Sequence, residues 1–179
     1  LWLLDPEGKS PQRDLLPPGS PFQTPGRRSI GNTEWLDNDR VSFSMACGSS
    51  CSGHYSINIK DGTYQIFCIG NGDIEWSPDR KIGAAENGSN GITPQGLGLV
   101  AVDSGVTLAA GSTPYQYDRA CKSVFSGGIR TSDTGEIPAF IAWLPDSRRV
   151  LYSNGRDNSL RIWDTQTGQR TTLIKGRRP

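Results

Sequence analysis

The sequence is poor in the residues that most often build catalytic pairs and metal centres: one histidine and four cysteines among 179 residues. It has no apolar run near the ~18–20 residues that a membrane-spanning helix needs. It has no charge excess either. Nineteen basic and eighteen acidic residues leave a net charge of +1, too little for a global field that gathers nucleic acid or an anionic membrane. Nucleic acid is therefore not an expected partner. A helical repeat of apolar residues is missing from every window of roughly a dozen residues. The chain opens Leu1-Trp2-Leu3-Leu4 without an initiator Met, and that segment reads as a strand already under way. The expectation is that the true N-terminus lies upstream, so a signal or anchor cannot be read here.

What is present is turn chemistry. Gly (22) and Pro (12) make up about 19% of the chain, above the ordinary share but below that of low-complexity disorder. Between the turns lie short β-rich runs such as Arg40–Ser44, Tyr55–Ile59, Leu97–Val102, Arg149–Ser153 and Leu160–Trp163. Period-two alternation punctuated by Asp, Asn, Gly and Pro predicts an all-β chain of antiparallel strands.

Two elements repeat. In the first, Trp is followed by a short polar turn and an apolar strand: Trp35-Leu36-Asp37-Asn38-Asp39-Arg40-Val41, Trp76-Ser77-Pro78-Asp79-Arg80-Lys81-Ile82 and Trp143-Leu144-Pro145-Asp146-Ser147-Arg148-Arg149-Val150. Pro pre-sets φ and Asp bonds back to its own backbone, so each reads as a strand, a tight reversal and a return strand. The second element is a hairpin with an acidic residue and Gly at its turn, near Asp5, Asp61, Asp103 and Asp164. The two alternate along the chain. Trp35 to Trp76 is 41 residues and Asp61 to Asp103 is 42, the length of a four-stranded propeller blade.

The expected organisation is one β-propeller-like domain with an incomplete ring. It comprises a half-blade (1–16), a linker (17–31), a blade (32–67), a second blade (73–110), an insertion (111–138), a third blade (139–173) and a basic tail (174–179). Three and a half blades do not close a ring of four to eight. The chain thus reads as part of a longer propeller, or as a ring completed by another chain. Trp35, Trp76, Trp143 and Trp163 are the expected structural anchors.

Asp73-Ile74-Glu75-Trp76-Ser77-Pro78-Asp79 resembles the Trp-Ser-Pro-Asp-Gly repeat of TolB-like periplasmic propellers, with Arg80 and Ser147 standing where that repeat has Gly. Asn158–Asp164 followed by Thr167-Gly168 resembles the end of a WD-repeat blade. The WD likeness implies a hydrogen-bonded tetrad of Trp, Ser or Thr, Asp and His. Trp163, Ser153 and Asp157 match three of its places, and the only histidine, His54, lies in another blade. The TolB likeness implies an envelope protein that docks onto other components.

No Gly-x-Ser-x-Gly elbow is present, and His54 has no Ser and Asp at motif spacing, so the chain is not expected to be an enzyme. Cys47, Cys51 and His54 have the spacing C-x3-C-x2-H, but a fourth zinc ligand is not evident, and neither a metal nor another cofactor is expected. Cys47, Cys51, Cys68 and Cys121 are even in number and read as disulfide candidates, which favours a periplasmic or extracellular home; as free thiols they would favour the cytoplasm. Glu34 and Glu75 each precede a blade Trp, so they occupy equivalent places facing the channel, where they are candidates to bind a cation or a basic side chain; the plainer reading pairs them with Arg. Tyr115, Tyr117 and Phe125 give the second insertion apolar anchors of the kind interfaces use. The functional expectation is a non-catalytic binding or scaffolding module with other protein subunits as partners, peripheral to a membrane complex. The alternative is the propeller portion of a larger hydrolase or carbohydrate-binding enzyme.

Overall fold

The computed structural model describes residues 2–3, 7–15, 29–46, 52–67, 69, 73–87, 96–107 and 125–176. Every strand pairing among the described residues is antiparallel. The chain is all-β, built of propeller-like sheets, with no closed ring among the described residues. It divides into two compact units, one of residues 1–68 with 105–122, the other of residues 69–104 with 123–179. Among the described residues no helix is long and apolar enough to cross a membrane.

In the first unit, β1 (Trp2–Leu3) pairs with β2 (Arg13–Asp14) as a two-stranded sheet where the half-blade is expected. β3 (Ser29–Trp35), β4 (Arg40–Ala46), β5 (Ser52–Asn58) and β6 (Tyr64–Phe67) then run in sequence as neighbours. Alternation decides which face is apolar. Val41, Phe43 and Met45 of β4 are buried, with Ile57 opposite Val41 and Tyr55 opposite Phe43. The Phe43 and Tyr55 rings stack at 5.8 Å between centroids. The reverse face of the same strands is polar, carrying Ser42 opposite Ser56 and Ser44 opposite His54.

The second unit begins with β7 (Ile74–Trp76), β8 (Ile82–Asn87) and β9 (Gly96–Ala101). Here the structure corrects the expected blade. The hairpin foreseen at Asp103 is not made: Val102–Ser104 forms a 3-10 turn, closed by Ser104 Oγ donating to the Ala101 carbonyl at 2.7 Å. The following β10 (Val106–Thr107) pairs with β6 as a fifth strand of the first unit's sheet. The fourth strand beside β9 is β11 (Phe125–Arg130), drawn from the segment read as an insertion. Glycine makes this pairing fit. A Cβ at Gly128 would lie 2.5 Å from the Leu97 carbonyl oxygen, and one at Gly96 would lie 2.1 Å from that of Ile129. Only residues without a side chain allow so close an approach.

After a helical turn at Thr131–Thr134, β12 (Pro138–Trp143), β13 (Arg149–Asn154), β14 (Ser159–Asp164) and β15 (Arg170–Ile174) form the last four-stranded sheet. One face of it packs on the β7–β9 and β11 sheet. Ala84, Leu97, Leu99 and Ile129 meet Val150, Tyr152 and Trp163 in one buried cluster, with Ile82, Phe140 and Trp143 against its rim. Polar links join the same two sheets: Trp143 Nε1 donates to the Glu75 carbonyl at 2.6 Å, and the Phe140 amide to Glu86 Oε1 at 2.7 Å.

The three Trp elements are one kind of turn. Asp37 Oδ1 accepts the amides of Asp39 and Arg40 (2.9 and 2.8 Å), and Asp146 Oδ1 those of Arg148 and Arg149 (3.1 and 3.0 Å). Asp79 Oδ1 accepts the Lys81 amide at 3.2 Å and the Ser77 hydroxyl at 2.7 Å. Arg80 and Ser147 take a left-handed backbone in their turns, with φ of 60° and 56°. Ser147 puts its side chain to use: its Oγ accepts the Asp79 amide at 3.0 Å.

The four Trp anchors differ in depth. Trp76 and Trp163 are 5% and 3% exposed, Trp143 is half-buried, and Trp35 is 48% exposed. Trp76→Ala is therefore expected to destabilise its unit by about 3–5 kcal/mol, the range for truncating a buried aromatic. Trp35→Ala is expected to cost less than about 1 kcal/mol. Urea unfolding followed by circular dichroism checks both, and equal costs for the two would contradict the assigned depths.

Candidate functional site

The densest set of charged side chains among the described residues sits at one end of the last sheet. Register assembles it. Tyr152 lies opposite Arg161, Arg161 opposite Thr172 and Asn154 opposite Ser159, so all of these share a face. Glu136, 8% exposed and just ahead of β12, sits at the centre. Its Oε2 accepts the Tyr152 hydroxyl at 2.8 Å, and its Oε1 accepts Arg161 Nη1 at 2.8 Å and Arg170 Nη1 at 2.9 Å. Arg161 also donates Nε to Ser159 Oγ (2.7 Å) and Nη2 to Asp157 Oδ2 (2.5 Å), while the Ser159 hydroxyl donates to Asp157 Oδ1 (2.5 Å). Beside the cluster, Asp157, Ser159, Arg161, Thr172, Lys175 and Gly176 line a pocket of about 240 Å³.

The electrostatics make this a clasp. Burial, then the bond to Glu136, pushes the Tyr152 phenol well above its ordinary range, so it stays a donor. The Ser159 hydroxyl, ahead of Arg161, holds the Asp157 carboxyl below its usual range. A carboxylate held low is a weak base, so Ser159 is not activated as a nucleophile by it. Two of the bonds of Arg161 tie β14 to Glu136 and to the Asp157 turn. A second clasp lies at the far end of the sheet, where Arg148 donates Nε and Nη2 to the two oxygens of Asp164 (3.0 and 2.5 Å).

This geometry replaces the tetrad that the WD likeness implied. Ser153 pairs with Leu160 and Trp163 with Val150, so Ser153 and Trp163 lie on opposite faces of the sheet. Asp157 bonds instead to Ser159 and Arg161. Glu34 is half-buried on β3 in one unit, opposite Ser42; Glu75 is exposed on β7 in the other. Phe125 begins β11, pairing with Val100. Tyr115, Tyr117 and the four cysteines lie outside the described residues, so the disulfide and insertion-anchor expectations fall there too. Among the described residues no three of His, Cys, Asp and Glu are placed to hold a metal.

Sequence reasoning missed a Ser–His contact. Ser42 Oγ and His54 Nε2 lie 2.6 Å apart, and both side chains are fully buried. The signal was available in the register: His54 pairs with Ser44, which puts Ser42 diagonally across on the same face. The His54 ring also meets Phe67 edge-on at 6.1 Å. Burial pushes the imidazole down to about 3, so it is neutral at pH 7 and closed to substrate.

The chain matches no family model and no curated protein. Among solved structures it is similar to a prolyl endopeptidase, with TM-score 0.59 and 16% identity over 94% of this chain and 25% of that one. It is also similar to the acylaminoacyl peptidase of Pyrococcus horikoshii, with TM-score 0.49 and 14% identity over 84% of this chain and 25% of that one. Both peptidases contain β-propeller domains. The chain spans about a quarter of the length of each, and at these identities the likeness is one of fold.

The buried imidazole has a pH consequence. In the unfolded chain His54 titrates near its ordinary 6.5, while the folded protein refuses the proton down to about 3. The contribution is complete above pH 6.5 and is lost as pH falls through that window. Stability should drop by about 2–3 kcal/mol between pH 6.5 and 4.5, before the carboxylates titrate. Chemical denaturation at a series of pH values measures this, and His54→Gln should flatten the slope in that interval. An unchanged slope in the variant would show that His54 is not the group responsible.

Proposed function

We propose that this chain is the propeller portion of a larger peptidase-type hydrolase, where it holds or admits substrate and leaves bond cleavage to residues outside it. One observation carries the reading: 94% of the chain follows a single quarter of a prolyl endopeptidase. The buried, neutral state of the chain's sole histidine supports the division of labour, because His54 has neither the access nor the basicity for acid–base work. So does the state of Ser159, whose neighbouring carboxylate is held too low to act as a base.

The second reading is a non-catalytic scaffold that docks other subunits. The exposed apolar side chains of Ile137, Ile141, Leu173 and Ile174 on or beside the last sheet favour it.

Peptide hydrolysis separates the two. The polypeptide carrying these residues, purified from its source, is assayed on an internally quenched proline-containing peptide beside residues 1–179 alone. The proposal expects cleavage by the first and none by the second. Inactive native material that copurifies with stoichiometric subunits would favour the scaffold, and cleavage by the chain alone would overturn both.

A further inference from the structure

We propose that β15 is a docking edge, to which an extended acidic segment of a partner protein adds as a fifth antiparallel strand. The proposal is independent of the hydrolase reading.

The first ground is the state of the edge. All five residues of β15 are exposed, Leu173 and Ile174 by 52% and 60%. The Asp164 amide donates to the Gln169 carbonyl at 2.9 Å, so Gln169 faces β14. Alternation along an antiparallel strand then turns the main-chain groups of Arg170 and Thr172 outward. Neither Gly nor Pro interrupts the strand. Both this strand and β11, the edge of the neighbouring sheet, have one register irregularity, but β11 also carries Gly127-Gly128, which weakens a strand as a template for addition.

The second ground is a precedent in the same chain. In the first unit's sheet the last strand in sequence, β6, accepts the distant two-residue strand β10, with Val106 opposite Ile66 and Thr107 opposite Gln65. A pairing of that length needs two outward residues, the number β15 offers. The third ground is charge. Beyond Arg170, which is paired with Glu136, residues 175–178 read Lys-Gly-Arg-Arg, three cations and no acid. Cations flanking an edge repel a second copy of it and select an acidic strand. Main-chain bonds would supply the affinity and the charges the choice of partner.

The test uses the whole chain, labelled with nitrogen-15, and the peptide acetyl-Glu-Val-Glu-Val-Thr-Val-Glu-amide. Amide exchange at Arg170 and Thr172 should slow by about tenfold or more on binding. The same peptide with Lys for Glu should give no protection. Thr172→Pro removes an outward donor without touching the β14 pairing and should abolish the effect. Lys175→Glu, at an exposed side chain, should weaken binding by about three- to fivefold and carries the test alone if the proline disturbs the sheet. Absence of protection at millimolar peptide, equal protection by the Lys peptide, or protection confined to another edge would overturn the proposal.

Discussion

The second unit depends on one contact: the face of the last sheet that buries Val150, Tyr152 and Trp163 against Leu97, Leu99 and Ile129 of the sheet before it. A single antiparallel sheet has an apolar face that needs a cover, and stacking sheet on sheet is how propeller-like folds supply one. The charged clasps occupy the two ends of the same four strands. Glu136 gathers Tyr152, Arg161 and Arg170 at one end, and Arg148 grips Asp164 at the other. The Tyr152 ring belongs to the packed cluster while its hydroxyl belongs to the clasp, so packing and polar network constrain each other.

That coupling bears on function. The charged groups of the clasp spend their bonds on one another. The buried Ser42–His54 contact has the distance of a nucleophile–base pair but none of the access. Among the described residues the last sheet also presents an open backbone edge and the exposed side chains of Ile141, Leu173 and Ile174. These features fit the proposed division between a recognising module and a cleaving part elsewhere in a polypeptide.

Much of the architecture was legible because turn chemistry and alternation are local. The reversals after Trp35, Trp76 and Trp143 are visible as Asp-centred turns, and the structure caps each with the Asp that the sequence points to. The left-handed backbone of Arg80 and Ser147 in two of these turns is visible only in the structure. Strand exchange was not legible. Ser126-Gly127-Gly128 reads as loop, since Gly is poor in strands, yet Gly is what lets β11 close on β9. Val106–Thr107 reads as that missing strand by sequence proximity, and pairing with β6 is a non-local choice. The site suffered likewise. Ser153, Asp157 and Trp163 fit a spacing, but a count of register puts Ser153 on the wrong face. The clasp that does form draws Glu136 from ahead of β12, a residue no local pattern singles out.

The central claim is that the two sheets of the second unit pack face to face through their apolar residues. Nuclear Overhauser contacts between the ring protons of Tyr152 and Trp163 and the methyl groups of Leu97, Leu99 and Ile129 test it most directly. Cross-peaks between these rings and methyls are predicted. Rings that show contacts only within their own sheet would contradict the packing, and with it the propeller-like reading of this unit.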